Sequence, residues 1–166
     1  RTGINWQNRG CSFSLDPQHL NVLAPGKKPF HTLNPALARL KDGRTMVYGT
    51  MGGDGQPQTQ AAVFTRYAVF GQAVQQAITA PRWLLGRTWG QSSDSLKLES
   101  RFAPEIIDGL RKLGHEVDVI AEFDEMVGHA AAIVRDADGI FAGGFDPRSN
   151  GIAAVSYTHL TLPTNR

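Results

Sequence analysis

The sequence predicts an α+β fold: a mostly antiparallel sheet with two main covering helices. Three observations carry this reading. Short strand-like runs outnumber helical ones, and several lie close enough in the chain to pair locally. One long stretch carries apolar residues at helical spacing: Val63, Tyr67, Phe70, Val74 and Ile78. Between the two patterns sits a glycine cluster, Gly49, Gly52, Gly53 and Gly55, after a strand-like run and before the helical one.

In chain order, Gly3–Trp6 reads as a short strand. Residues Asn8–Gly26 are rich in Asn, Ser, Gly, Asp and Pro and read as a long loop with a Pro25-Gly26 turn. Pro35 leads into a strand over Ala36–Leu40. Lys41-Asp42-Gly43-Arg44 carries the Asp-Gly hairpin signature, and the return strand Thr45–Gly49 delivers the chain to the glycine loop. Pro57 suits the first turn of the long helix, with Gln56 or Asp54 as its cap. Pro81 ends that helix, because the residue before a proline is pushed to an extended form. Arg82–Leu85 and Leu96–Glu99 read as strands across a Gly/Ser loop. A second helix fits Pro104–Leu113, with Ile106, Ile107, Leu110 and Leu113 as its apolar face and Gly114 as its stop. Strands follow at Val117–Ile120, Ala130–Arg135 and Ile140–Gly143, the last two joined by a turn at Asp136–Gly139.

With 166 residues, 41% hydrophobic and 19% charged, the chain has the composition of a domain with a core rather than of disorder. Its 17 basic and 15 acidic residues are scattered, with no basic stripe interleaved with aromatics, so nucleic acid is not an expected partner. No apolar run approaches the roughly 20 residues of a membrane-spanning helix. The single cysteine, Cys11, excludes an internal disulfide or a cysteine-based zinc site and reads as a small buried thiol. His19, His115 and His129 lack metal-ligand spacing and read as isolated loop or turn residues. Trp6, Trp83 and Trp89 read as core or subunit-interface residues. No metal or organic cofactor is expected. The start at Arg1 reads as mid-element, so a beginning upstream is expected. Residues 1–155 read as the native domain, and 156–166 as an adaptor- or vector-derived tail.

Glycine lets backbone approach a ligand closely, since no Cβ intervenes. Free N–H groups near a helix start favour negative charge there. The cluster lacks the Gly-Lys-Ser/Thr of a phosphate-binding loop, and its spacing is not Gly-x-Gly-x-x-Gly. From these residues alone two readings stand: a site for an oxyanion or carboxylate, or a tight strand-to-helix turn with no ligand. Asp146 and Arg148 flank Pro147 and read as a local structural ion pair.

Five blocks, in order, carry a family resemblance. They are Gln7-Asn8-Arg9-Gly10-Cys11-Ser12-Phe13-Ser14, Pro29-Phe30-His31-Thr32-Leu33-Asn34-Pro35, Gly49–Gln60, Ala80-Pro81-Arg82 and Asp146-Pro147-Arg148-Ser149. Together they resemble the small subunit of the γ-glutamyltransferase (glutathione hydrolase) family, Ntn hydrolases that cut themselves to expose an N-terminal Thr nucleophile. The resemblance implies half of an αββα sandwich, a nucleophilic Thr upstream of Arg1, and a large subunit from the same precursor as partner. It implies a small amide or γ-glutamyl substrate and no cofactor.

Carried over residue by residue, Gly52 and Gly53 match the oxyanion-hole glycines. His31 and Thr32 match a Ser-Ser pair that holds the substrate α-carboxylate. Asn8, Arg9 and Ser12 fall in the segment that reads the substrate α-amino group. There the sequence departs from the pattern: Ser12 stands where a carboxylate pairs with the ammonium, and Arg9 is near. A cation repels an ammonium and attracts a carboxylate. This points to the branch with oxamate amidohydrolase-like and cephalosporin acylase-like proteins. The rivals are true glutathione hydrolysis and a non-catalytic small-anion-binding module. The fragment alone is expected to be inactive, and to fold poorly with one sheet face uncovered.

Overall fold

The Asp42-Gly43 turn folds the chain back on itself as expected. Strands β1 (Ala36–Arg39) and β2 (Thr45–Met51) form an antiparallel hairpin, with Leu37 opposite Val47. Asp42 steadies the turn by accepting hydrogen bonds from the Arg44 amide at 3.1 Å and the Arg44 Nε at 2.8 Å. The structure, a computed structural model, describes residues 8–88 and 93–154. The expected strand at Gly3–Trp6, the side chains of Trp6 and Trp89, and the segment 156–166 lie outside the described residues.

The chain divides into two units, Arg1–Leu33 and Asn34–Arg166. In the first, the described residues form a loop, as expected. It holds one 3-10 turn at Arg9–Ser12 and a bridge between Ser14 and Val22. Its large apolar side chains Leu15, Leu20 and Phe30 are exposed.

In the second unit, β2 pairs antiparallel with β6 (His129–Arg135), and β6 with β7 (Phe141–Phe145). The resulting order is β1-β2-β6-β7. One face of this sheet carries Met46, Ala130, Ala132 and Val134. It is closed by Val63 and Tyr67 of α1 (Gln56–Ala68) and by Val74, Ala77 and Ile78 of α2 (Val74–Thr79). Burying each large side chain there stabilises the fold by about 1.5–3 kcal/mol. The other face is open: Leu37, Val47, Ile133 and Phe141 are exposed on it.

The single long helix expected up to Pro81 is two helices. Gly71 takes φ +68° between them, and Phe70 is 72% exposed instead of joining the core. Beyond the break, Val74, Ala77 and Ile78 of α2 pack into the core of the sheet. Asp54 does not cap α1. The N-cap is Gly55, without a side-chain cap, and Pro57 occupies the first turn.

A second, smaller sheet has the order β3-β4-β5, from Trp83–Leu85, Leu96–Glu99 and Val117–Ile120. The β4–β5 pair is parallel, because α3 (Pro104–Lys112) supplies a crossover between them. All other strand pairs are antiparallel, as expected. Of the predicted apolar face of α3, Ile107 is buried, whereas Ile106 and Leu113 are exposed.

Candidate functional site

The β2 strand runs into the glycine turn at Gly52. Gly52 takes φ +141° and ψ 21°, and Gly53 takes φ +52°; side chains with a Cβ rarely adopt either. One turn of 3-10 helix, Gly53–Gly55, then feeds directly into α1. The Gly55 amide donates to the Gly52 carbonyl at 2.9 Å. Among the described residues, neither the Gly52 nor the Gly53 amide donates a hydrogen bond. Gly52 is buried and Gly53 is exposed, so the turn passes from the interior to the surface at this pair.

Gly128 closes the turn from beneath. A Cβ placed on Gly52 would come within 3.3 Å of the Gly128 Cα. Gly128 itself has φ +85°, and a Cβ there would collide with the Met51 carbonyl oxygen and lie 2.6 Å from Thr50 Oγ1. The preceding carbonyl, of Val127, accepts a 2.8 Å bond from the buried Thr59 hydroxyl of α1. The Gly128 carbonyl accepts from Arg82 Nη2 at 2.5 Å. Gly128 is therefore held on both sides while it supports Gly52.

Arg82 belongs to a buried ionic cluster. Its guanidinium pairs with Asp146, whose Oδ2 also accepts the Ala130 amide at 2.7 Å. Arg148 Nη1 meets Asp146 Oδ1 at 3.0 Å, so the predicted local pair is present. Arg148 also grips Glu99 with two bonds, Nε to Oε1 at 2.7 Å and Nη2 to Oε2 at 2.5 Å. The Arg82 amide donates to Glu99 at 2.9 Å and the Asp124 amide at 3.1 Å. The Arg82, Asp146, Arg148 and Glu99 side chains are at most 1% exposed.

Two positive and two negative charges thus close a neutral set in which each charge has hydrogen-bonded partners, as burial demands. Burial alone pushes the Asp146 carboxyl up. Arg82 and the Ala130 and Arg148 amides outweigh it and hold the group below the usual carboxylate range. Burial lowers the Arg82 guanidinium against the opposing pull of Asp146. For Arg148 burial is outweighed by Glu99 and Asp146, which raise it.

The remaining sequence-predicted residues lie in the first unit. Arg9 and Ser12 come together there: Arg9 Nη1 donates to Ser12 Oγ at 3.4 Å, and Arg9 Nε is buried without a partner. Asn8 is exposed, and its carbonyl accepts the Cys11 thiol at 3.1 Å. Cys11 is exposed, not buried as expected, because the 3-10 turn carries it to the surface. His31 is exposed and Thr32 half-buried. His129 is not a loop residue. It opens β6 opposite Met51, with its Nε2 buried and unpartnered. His19 is a turn residue as expected, its ring accepting the Asn21 amide at 2.9 Å.

Sequence reasoning missed Glu99, Gly128 and the role of Arg82. The available signal was the recurrence of Arg in two of the motif blocks, Ala80-Pro81-Arg82 and Asp146-Pro147-Arg148, which the structure joins through Asp146. Among the described residues no group of three or more His, Cys, Asp or Glu side chains is placed to hold a metal ion. No helix among them is long and apolar enough to cross a membrane.

The family model described as gamma-glutamyltranspeptidase matches residues 1–156. The chain belongs to the gamma-glutamyltranspeptidase family. Within that family it is 71% identical over 153 residues to the oxamate amidohydrolase proenzyme of Klebsiella pneumoniae, covering 92% of this chain and 29% of that protein. It is 49% identical over 152 residues to the glutathione hydrolase-like YwrD proenzyme of Bacillus subtilis, again covering 92% of this chain and 29% of that protein. Among solved structures, a cephalosporin acylase from Bacillus halodurans superposes with a TM-score of 0.64 at 34% identity, over 95% of this chain and 28% of that one. The chain thus spans under a third of the length of these gamma-glutamyltranspeptidase relatives. Its mixed α+β layer, one sheet face covered by helices and the other open, is an Ntn-hydrolase-like half-domain.

Proposed function

We propose that this chain is the oxyanion- and substrate-binding part of a Thr-dependent amidohydrolase whose best substrates are small amides of an acid lacking the amino-acid ammonium. The observation that carries the reading is the 71% identity to an oxamate amidohydrolase proenzyme, across a segment containing the glycine turn. An upstream Thr hydroxyl attacks the amide carbonyl while its own α-amine takes the proton. That proton passes to the amide nitrogen as the C–N bond breaks and the amine leaves, and water then hydrolyses the Thr ester to release the acid. The Gly52 and Gly53 amides receive the developing oxyanion; such a donor is worth about 3–4 kcal/mol. Their positive φ angles, and N–H groups that donate to no acceptor among the described residues, support that role. The large subunit from the same precursor completes the enzyme, and this chain alone is inactive.

Arg9 recognises the substrate acid group, with Asn8, Ser12, His31 and Thr32 contributing further hydrogen bonds. The half-buried guanidinium with an unpartnered Nε supports the assignment. A charge-assisted hydrogen bond of about 1.5–3 kcal/mol predicts that Arg9→Ala raises KM for oxamate about 10- to 100-fold in the full-length protein, with kcat far less altered. Steady-state kinetics check this.

The second reading is glutathione hydrolysis, favoured by the 49% identity to the glutathione hydrolase-like YwrD proenzyme of Bacillus subtilis. Competing the full-length protein on oxamate and on γ-glutamyl-nitroanilide decides between them. A preference for oxamate of at least about tenfold in kcat/KM supports the proposal, and the reverse preference supports the second reading. Turnover by the isolated chain would contradict the assignment of the nucleophile to a segment upstream.

A further inference from the structure

Lys97 is a lysine in the middle of β4 with only 4% of its surface exposed. Buried ammonium groups ordinarily pair with a carboxylate. Among the described residues Lys97 makes no salt bridge. Its Nζ instead donates to the Gly86 carbonyl at 2.8 Å, the Ser93 carbonyl at 3.0 Å and Ser95 Oγ at 3.1 Å. Ser95 Oγ in turn donates to Asp118 on the neighbouring strand at 2.5 Å. One charge therefore ties together Gly86 and Ser93, on either side of the β3–β4 connection. The start of that connection is also fixed to α1: the Gln58 side chain both donates to the Leu85 carbonyl at 2.9 Å and accepts from the Leu85 amide at 2.8 Å.

Thr88 follows Gly86 by two residues, is 5% exposed, and its hydroxyl donates to the Gly52 carbonyl at 3.4 Å. That carbonyl belongs to the same peptide unit as the Gly53 N–H. The described peptides contain no cis bond, so the two groups point in opposite directions across a rigid plane. Holding the carbonyl between the Thr88 hydroxyl and the Gly55 amide aims the Gly53 N–H. Glycine flanks on both sides leave the plane otherwise free to rotate.

We propose that Thr88, two residues beyond the Lys97-bound Gly86, is a positioning residue that orients the Gly52–Gly53 peptide for oxyanion binding. This rests on the amidohydrolase reading above. Preorientation acts where charge develops in the transition state, so its loss appears in kcat rather than KM.

The test uses the full-length precursor carrying Thr88→Val, which keeps the shape and removes the hydroxyl, and Thr88→Ser, which keeps the hydroxyl. Rates on oxamate are taken per mole of cleaved chain. One hydrogen bond predicts that Thr88→Val lowers kcat about five- to tenfold at unchanged KM, whereas Thr88→Ser stays within about twofold of wild type. Should Thr88→Val fail to fold or mature, Thr88→Ala carries the same comparison. Wild-type kcat in the hydroxyl-free variant, equal losses in the Val and Ser variants, or a loss confined to KM would each overturn the proposal. Absence of oxamate turnover by the wild type would instead overturn the amidohydrolase reading, and this inference with it.

Discussion

Gly128→Ala is expected to abolish hydrolysis and to destabilise the full-length protein by about 3–5 kcal/mol, from positive-φ strain and overpacking combined. The new methyl would meet the Met51 carbonyl and Thr50 Oγ1, and neither can retreat easily. Met51 pairs with His129 at the end of the β2–β6 ladder, and Thr50 pairs with Ala130 just inside it. Gly128 cannot yield either, because Arg82 holds its carbonyl and Thr59 the one before it. The strain therefore passes to the Gly52 turn resting on it. Thermal unfolding and an oxamate assay check both halves of the prediction. By contrast Gly71, between α1 and α2, has no atom within 4 Å of an added Cβ, so only its backbone angle resists substitution.

Glu99→Ala is expected to be comparably damaging, at about 3–5 kcal/mol, since it removes one partner from a buried ion set. Arg148 would keep Asp146 but lose both bonds to Glu99, and the Arg82 and Asp124 amides would each lose an acceptor. Arg101 touches the same carboxylate at 3.8 Å but is 22% exposed. Arg101 also donates to the Thr79 carbonyl at 2.8 Å and lies 3.8 Å over the Phe123 ring. The ion pair of Arg111 with Asp108, by contrast, is 50% and 63% exposed. Arg111→Met is therefore the variant expected to cost at most about 1 kcal/mol. Urea midpoints of the two variants separate the cases. Equal shifts would mean that the cluster gains nothing from being closed and dry.

The strands and the hairpin were readable because they depend on local signals. Alternation and an Asp-Gly turn fix β1 and β2 without help from distant residues. The second sheet was harder: the parallel pairing of β4 with β5 is a choice made by the α3 crossover, not by either strand's pattern. The helix broken at Gly71 shows the limit of periodicity. The apolar spacing of Val63, Tyr67, Phe70, Val74 and Ile78 predicts one helix; four of the five pack in the core, but from two short helices, and Phe70 is exposed. α3 shows it again: Ile107 is buried, whereas Leu113 at the end of the same stripe is exposed.

At the site, the glycine turn was legible because positive φ demands glycine and glycine clusters are visible. Its supports were not. Gly128 lies 76 positions beyond Gly52 in the sequence and carries no side chain to betray its contact. Glu99 and Lys97 sit in a four-residue strand in which every residue is buried, where charged residues contradict the usual alternation of core and solvent. The partners of Glu99 come from positions 17 to 49 residues away, so no spacing rule identifies them.

Oxyanion binding by the Gly52 and Gly53 amides, as proposed, is open to direct observation. The most direct measurement is a crystal structure of the full-length protein carrying a tetrahedral adduct on its nucleophile. The adduct oxygen is expected about 2.7–3.1 Å from both amide nitrogens. An oxygen bound by other donors, with both glycine amides turned away from it, would contradict the account.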